Sequence, residues 1–433
     1  MELRDPVHGS IEVLLPEVAI LDHPVFQRLR SIKQLGFSQF SFPGVTHTRL
    51  SHCLGTMHLA TLAFDSIFDA HFSFQHPANR RRLRETVRLA ALLHDLGHPP
   101  LSHCTEVAMP SLAALQIACY RPTDRVEDRQ ANHEDVSVLL MTASSLAATL
   151  PGAEAGVTPR HVAALISSQV PIDDDYFVDG DRDFRPILSQ IVSSECDVDR
   201  MDYLARDSLF AGVRYGAFDQ SWLLRSLTWH VGEGGAVQLA LDSRGLYAFD
   251  HFLIARYHMF LIVYYHARSV IFEEMLRRYL EERPDEYRLP VEPEAYRQVD
   301  DTQLMASLRT SDSRWARRIV EARPYGLLVE RHGSAERVDL AWAVARLDEA
   351  GIDHISVSSR GVLSKYVGKT RSLAAPPIWV VDRSRALAAA PRTLDQATDL
   401  FARYGEERQI GRVYVELEDR ERAAALCALA PGA

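Results

Sequence analysis

Leu93-His94-Asp95-Leu96-Gly97-His98-Pro99-Pro100-Leu101-Ser102-His103 sets three histidines and an aspartate at the end of an apolar helical pattern. That pattern runs over 83–96, and Gly97 with Pro99-Pro100 is the punctuation that stops a helix. The adjacent His94-Asp95 pair can offer one metal ion a neutral imidazole and a hard carboxylate oxygen. His98 and His103, just beyond, can reach a substrate held by that ion. The stretch predicts a helical protein built around a metal site.

Upstream, apolar spacing predicts a helix from Pro24 carrying Phe26, Leu29, Ile32 and Leu35. A second helix is expected over about 48–68, with Leu50, Leu54, Met57, Phe64 and Phe68 on one side. Arg49 and His52 share a face of it away from that stripe. Downstream, Asn132 reads as the N-cap of a helix that begins with His133 and Glu134. Further helical stretches cover 187–213 and 246–281, and loops are expected at 121–125, 151–152 and 171–185. Beyond Glu282, short β-rich runs at 326–329, 355–357, 378–381 and 413–415 alternate with helical patterns at 335–350, 394–404 and 418–429. The expected fold is mostly α, with a helical domain over 1–281 and a smaller α+β region over 282–433.

Composition narrows the functional classes. The net charge of −10 disfavours nucleic acid as a partner, so an anionic substrate needs a local cluster of cations. No apolar run approaches the roughly 18 residues of a membrane span, and the N-terminus carries no signal-peptide pattern. Five cysteines without a CxxC pair point to a reducing, cytoplasmic setting. Cys53 and Cys104 follow functional-looking histidines, but buried apolar roles suit them better than zinc ligation.

A second informative stretch is Glu195-Cys196-Asp197-Val198-Asp199-Arg200-Met201-Asp202-Tyr203-Leu204-Ala205-Arg206-Asp207. Asp199, Tyr203 and Asp207 fall on one helical face with Arg200 beside them. An acid for metal, an arginine for phosphate, and a tyrosine and acid for sugar hydroxyls would suit a nucleotide. Alone, the stretch reads better as an exposed acidic helix with internal ion pairs. Its conjunction with the histidine-rich turn favours a site.

Five stretches together resemble the HD-domain deoxynucleoside triphosphate triphosphohydrolases. They are Asp5–Gly9 (DPVHG), Phe26–Gly36 (FQRLRSIKQLG), Phe42–Gly55 (FPGVTHTRLSHCLG) and the two stretches quoted above. The HD pair is generic to a large superfamily, and the longer strings are specific to this branch. The resemblance covers about residues 1–280, and beyond them mainly Lys365–Thr370. It implies an HD-domain helical core with His52, His94, Asp95 and Asp199 as ligands of a divalent transition metal. Iron, manganese, nickel, cobalt and zinc are candidates, with magnesium a further one beside the nucleotide.

The same resemblance implies His98, His103 and His133 as active-site histidines, with Glu134 orienting His133. It implies Arg49, Arg200 and Arg256 as phosphate contacts, although the family often has lysine at the second position. Gln34, Tyr203 and Asp207 would lie near sugar and phosphates, and Leu35 and Tyr264 where a 2′-hydroxyl would sit. The implied reaction releases a deoxynucleoside and inorganic triphosphate. Asp22, Gln27, Arg30 and Lys365 match a guanine-nucleotide activator site at a subunit interface, which implies a homo-oligomer, dimer or tetramer. The lysine that completes that site falls on Met1, so a strict need for an activator is not expected. Three rivals stand beside this reading: an HD phosphohydrolase for a ribonucleotide or modified nucleotide, a nucleotide-binding regulator with a weak site, and a nucleic-acid binder, which the net charge disfavours.

Overall fold

Helices Arg49–Ile67 and Pro77–Leu93 pack side by side at the centre of the fold. The first buries Cys53, Met57, Ala60 and Phe64, and also His52, Gly55 and Thr56, so it is enclosed on nearly all sides as an interior helix must be. The second begins at Pro77 rather than near 83, proline being favoured in a first turn. Arg80 and Arg84 on its outer side pair with Asp65 of its neighbour. Helices Pro159–Ile166, Arg185–Val192 and Val198–Ala211 pack around this pair, and His133–Ala143 and Leu246–Met259 pack on those in turn. The computed structural model describes all residues except 70–71, 151–155, 334–337, 362–375, 384–389, 401–407 and 429–433.

The expected helix from Pro24 is much shorter than its apolar spacing suggests. It spans Pro24–Gln27, tightens into a 3₁₀ turn over Arg28–Ser31, and ends at Ile32 in extended backbone. Leu35 therefore lies outside it. Tertiary hydrogen bonds override the local pattern here: the buried Arg28 guanidinium donates to the carbonyls of Leu96, His98 and Val299, and Lys33 N–H donates to Asp301. The capping of His133–Ala143 is as expected, with Asn132 accepting from Asp135 N–H and the Asp135 side chain accepting from Asn132 N–H. The 246–281 stretch is a helix to Met259, a π-helical turn over Phe260–Tyr264, and a helix over Ala267–Glu282.

The expected β-rich runs build two sheets. In the first, Gly326–Gly333 and His354–Gly361 flank Arg408–Val415, all antiparallel. Helices Ala341–Glu349 and Arg420–Ala428 cover it, burying Ala343, Leu347, Val413, Val415 and Ala423. In the second, Trp379–Val381 pairs parallel with Val237–Asp242, which pairs with Leu227–Val231, while Arg392–Thr393 lies on the far edge. The hairpin over 227–242 lies between the two expected helical stretches, in sequence given no assignment, and its pairing with Trp379–Val381 brings the C-terminal chain back onto the first part of the fold. Three short helices, Pro293–Tyr296, Asp301–Thr310 and Arg314–Val320, also escape the sequence pattern. Their Tyr296, Leu304, Leu308, Trp315 and Ile319 join the same apolar core as the central pair, which continues past Glu282 through Tyr325 and takes in Ile355, Ile378, Val380, Leu394 and Tyr414. Among the described residues, no helix is long and apolar enough to cross a membrane.

Candidate active site

Helix Pro77–Leu93 ends directly before His94 and Asp95, whose positions depend on a tightly packed turn. Gly97 sits so close to helix His133–Ala143 that a Cβ would lie 2.3 Å from the His133 carbonyl oxygen. Its N–H donates to Ser137 Oγ, which in turn donates to the His94 carbonyl at 2.7 Å. Leu101 and Ser102 then adopt left-handed backbone, each with φ of 56°. Such conformations cost about 1–3 kcal/mol each and persist only where surroundings enforce them. Here Asp301 accepts from Leu101 N–H at 2.7 Å, while Ser102 Oγ accepts from Arg49 Nε and donates to the Lys33 carbonyl.

Four side chains from three segments meet beside this turn. His52 Nε2 lies 3.0 Å from Asp199 Oδ1 and 3.4 Å from Asp95 Oδ2. His94 Nε2 lies 3.3 Å from Asp95 Oδ1 and 3.6 Å from Asp199 Oδ1. Both histidines engage their other nitrogen, His52 Nδ1 with Asp202 at 2.7 Å and His94 Nδ1 with the Ala91 carbonyl at 2.8 Å. Among the described residues neither Nε2 has a hydrogen-bond partner, though both are buried. Two orphaned imidazole nitrogens facing two carboxylates, each ring oriented from behind, suit a divalent metal bound through mixed nitrogen and oxygen donors. Burial disfavours charge on His52, yet Asp199, Asp202 and Asp95 raise its pKa to about 10, a sign of surplus negative charge that a cation would neutralise.

His98, His103 and His133 form a second group against Asp95. The His98 and His133 rings stack with centroids 3.9 Å apart, and His103 meets both edge-on. His98 Nε2 approaches Asp95 Oδ1 to 3.2 Å. The carboxylate at Nδ1 of His133 is Glu106, at 2.5 Å, and its other oxygen lies 3.1 Å from His103. Glu106 is thus the carboxylate in hydrogen-bond contact with the His133 ring, and Glu134, to which the resemblance assigned the orienting role, lines the cavity and helps raise the His133 pKa. Burial opposes ionisation of Glu106, but His103 and His133 beside it hold its carboxyl well below the usual range. Burial lowers the pKa of His133, and Glu106 and Asp95 more than offset this, raising it. His98 has the opposite balance: burial, with Arg49 nearby, pushes it well down.

A cavity of about 540 Å³ joins these groups to the rest of the expected site. Asp95, Asp199, His98, His103 and His133 form one wall. Arg49, Arg200, Arg256, Tyr203, Asp207, Tyr264, Gln34 and Leu35 also line it. The helix over Val198–Ala211 is largely buried, not the exposed acidic helix that its charge alone would suggest. Arg49 reaches Asp95 Oδ2 at 2.5 Å, so it contacts the metal constellation directly. Glu195 ties Arg200 and Arg256 together at 2.9 and 3.1 Å. Gln34 Oε1 is buried without a hydrogen bond. Cys53 and Cys104 are free, and burial pushes both thiols well up, which fits apolar roles.

Sequence reading missed Glu106, Glu195, Asp202, His47 and Asp301 as supports of the site. Glu106 follows His103 by three residues, a spacing that could have flagged it. Glu195 and Asp202 lie within the 195–207 stretch itself, but their partners Arg256 and His52 come from distant segments, as do Asp301 and His47, the latter 2.7 Å from Asp207. Asp22, Gln27 and Arg30 lie at the surface away from the cavity, where Arg30 Nε donates to Gln27 Oε1 at 2.5 Å. Lys365, with the rest of Lys365–Thr370, lies outside the described residues.

The HD domain profile matches residues 49–207, and that of the HD-associated region matches 218–354. An uncharacterised protein of Methanocaldococcus jannaschii is 29% identical over 83% of this chain and 65% of its own length. An uncharacterised Bacillus subtilis protein is 29% identical over 64% of this chain and 55% of its own. Human deoxynucleoside triphosphate triphosphohydrolase SAMHD1 is 31% identical over 49% of this chain and 33% of its own. This chain thus spans from one third to just under two thirds of these relatives. A crystal structure of a hypothetical protein from Aquifex aeolicus shares the fold with a TM-score of 0.74, 24% identity and 99% coverage of both chains. A phosphohydrolase from Bacteroides thetaiotaomicron shares it at 0.67, with 22% identity and coverage of 96% and 99%. The paired histidine–aspartate centre agrees with the two profile matches: residues 49–207 match the HD domain, and residues 218–354 match the HD-associated region that follows it.

Proposed function

We propose that this cavity is the active site of a metal-dependent phosphohydrolase that cleaves a deoxynucleoside triphosphate to the deoxynucleoside and inorganic triphosphate. The observation that carries the reading is the convergence of His52, His94, Asp95 and Asp199 beside a cavity lined with Arg200, Arg256 and three histidines. His52, His94, Asp95 and Asp199 would hold a divalent metal, which when bound would supply an activated water and polarise a phosphoryl oxygen. Arg200 and Arg256, kept in place by Glu195, bind the phosphate chain and offset its charge. His133, held through Nδ1 by Glu106, carries at Nε2 the proton needed by the departing 5′-oxygen. Gln34, Tyr203 and Asp207 hold the sugar, and Leu35 with Tyr264 fills the space beside its 2′ carbon. The likeness to a relative named as a deoxynucleoside triphosphate triphosphohydrolase supports this choice among HD chemistries.

The test is to incubate metal-loaded protein with a panel of deoxynucleoside and ribonucleoside triphosphates and identify the inorganic product. Triphosphate is expected, from the deoxy series first. Release of monophosphate, or no turnover of any nucleotide, overturns the reading. The same reading carries a homo-oligomer, dimer or tetramer, with the surface group Asp22, Gln27 and Arg30 at its interface. It expects at most weak stimulation by a guanine nucleotide. Sedimentation velocity showing only monomer, or rates that are zero until GTP is added, would reject that part.

A further inference from the structure

We infer that the N-terminal turn Asp5-Pro6-Val7-His8-Gly9 is a positioning device for the metal ligand His52, acting from behind the cavity through Asp202 and Arg206. The inference rests on the proposed role of His52 as a ligand and extends it to residues that never reach the cavity.

The contacts form a closed buried ring. Asp202 Oδ2 lies 2.7 Å from His52 Nδ1, and Oδ1 lies 2.6 Å from His8 Nε2. Arg206 donates through Nε and Nη2 to the same carboxylate at 2.8 and 2.9 Å. Its Nη1 donates at 2.7 Å to Asp5, whose other oxygen accepts from Val7 and His8 N–H. The turn that presents His8 is therefore shaped by the carboxylate that anchors Arg206. His52, Asp202 and Arg206 are fully shielded from water, and His8 and Asp5 are only 5% and 7% exposed.

This ring has a chemical consequence. A carboxylate that takes the Nδ1 proton of an imidazole leaves the lone pair on Nε2 and raises ligand basicity. Asp202 can do so only while held, and four donors from three segments hold it. Helix Arg49–Ile67 also makes room for it: a Cβ on Gly55 would stand 1.9 Å from Asp202 Oδ1 and 2.4 Å from Arg206 Nη2. Gly55 lies one turn beyond His52, so the helix that carries the ligand also leaves the gap for its support. The ring needs the turn between the paired strands Glu2–Asp5 and Gly9–Glu12: the first strand ends in Asp5 and the turn presents His8.

The test is Co(II) binding, read by the ligand-field spectrum and by titration calorimetry on the full chain. His8→Leu removes one donor to Asp202 and should weaken metal binding severalfold, up to about 10-fold. Loss of a ligand's own partner costs about 10- to 100-fold, and His8 acts one bond further out. His8→Gln, whose amide reaches the same distance, should restore most of the affinity. Asp5→Asn keeps an acceptor for the turn but loosens Arg206, and should shift affinity and spectrum the same way to a lesser degree. It also serves if His8→Leu does not fold. Unchanged cobalt affinity and spectrum in the folded His8 or Asp5 variants would falsify the inference. Equal cobalt binding by wild type and His52→Ala overturns the ligand assignment itself, which separates the two failures.

Discussion

The hydroxyl of Tyr264 donates to Asp207 Oδ2 at 2.9 Å, while His47 Nε2 lies 2.7 Å from the other oxygen of that carboxylate. Tyr264 ends a π-helical turn, and its ring meets Tyr203 edge-on with centroids 6.2 Å apart. The ring is thus fixed at its tip by a buried acid and along its side by a second aromatic. Rejection of a 2′-hydroxyl by packing has limited strength, on the order of a hundredfold. Tyr264→Ala should therefore raise the ratio of kcat/KM for ribonucleotides over deoxynucleotides by about tenfold or more, within that limit. Tyr264→Phe keeps the ring and should leave the ratio nearly as in wild type. An unchanged ratio in the alanine variant would remove Tyr264 from sugar selection.

Asp95 is the hub of the constellation. Its two oxygens lie within hydrogen-bonding or near-contact range of His52, His94, His98 and Arg49. Its alanine variant leaves two orphaned imidazole nitrogens and a buried guanidinium with one carboxylate fewer. Asp95→Ala should lose the metal, measured by elemental analysis after dialysis, and turnover with it. Full metal content in that variant would mean that the ion sits elsewhere.

Glu106 acts through His133. Its removal should slow the chemical step without changing how the phosphates and metal are held, because neither Arg200 nor Asp199 touches it. Glu106→Gln should lower kcat about 10- to 100-fold, in line with loss of an orienting carboxylate or part of a general acid's effect. KM and metal content should stay close to wild type. A matched rise in KM with kcat intact would show that Glu106 serves binding.

The grouping of His94, Asp95 and Asp199 was foreshadowed by dense local signals: a helix end followed by Gly97, Pro99 and Pro100, and a four-residue repeat at Asp199, Tyr203 and Asp207. The supports were not. Asp301 holds the backbone of Leu101 from 200 positions away, and Asp202 joins His8 across 194. Such pairs leave no periodic trace, since each partner alone reads as an ordinary polar residue. The failed helix beyond Gln27 has the same origin. Leu29, Ile32 and Leu35 keep helical spacing, yet Arg28 and Lys33 are recruited by distant groups that bend the chain. The hairpin over 227–242 was hidden differently: its strands are short, and part of their pairing comes from Trp379–Val381.

Glu273 supplies a test of the cavity's electrostatics through stability. It lines the cavity near Cys104 on helix Ala267–Glu282, and burial pushes its carboxyl up from 4.5 to about 7, only partly countered by the Cys104 hydrogen bond. Between those two values the folded chain keeps a proton that the unfolded chain has released. Stability therefore falls as pH rises through this window and levels off above it. Glu273→Gln cannot ionise, and it retains a donor and an acceptor of similar shape. The other titrating groups are common to both proteins and largely cancel in the difference of their melting temperatures. That difference, variant minus wild type, should become more positive from pH 5 to pH 8, as scanning calorimetry can measure at fixed metal loading. A difference that is flat across this range, or that moves the other way, would show that Glu273 is already ionised when the protein is folded at pH 5.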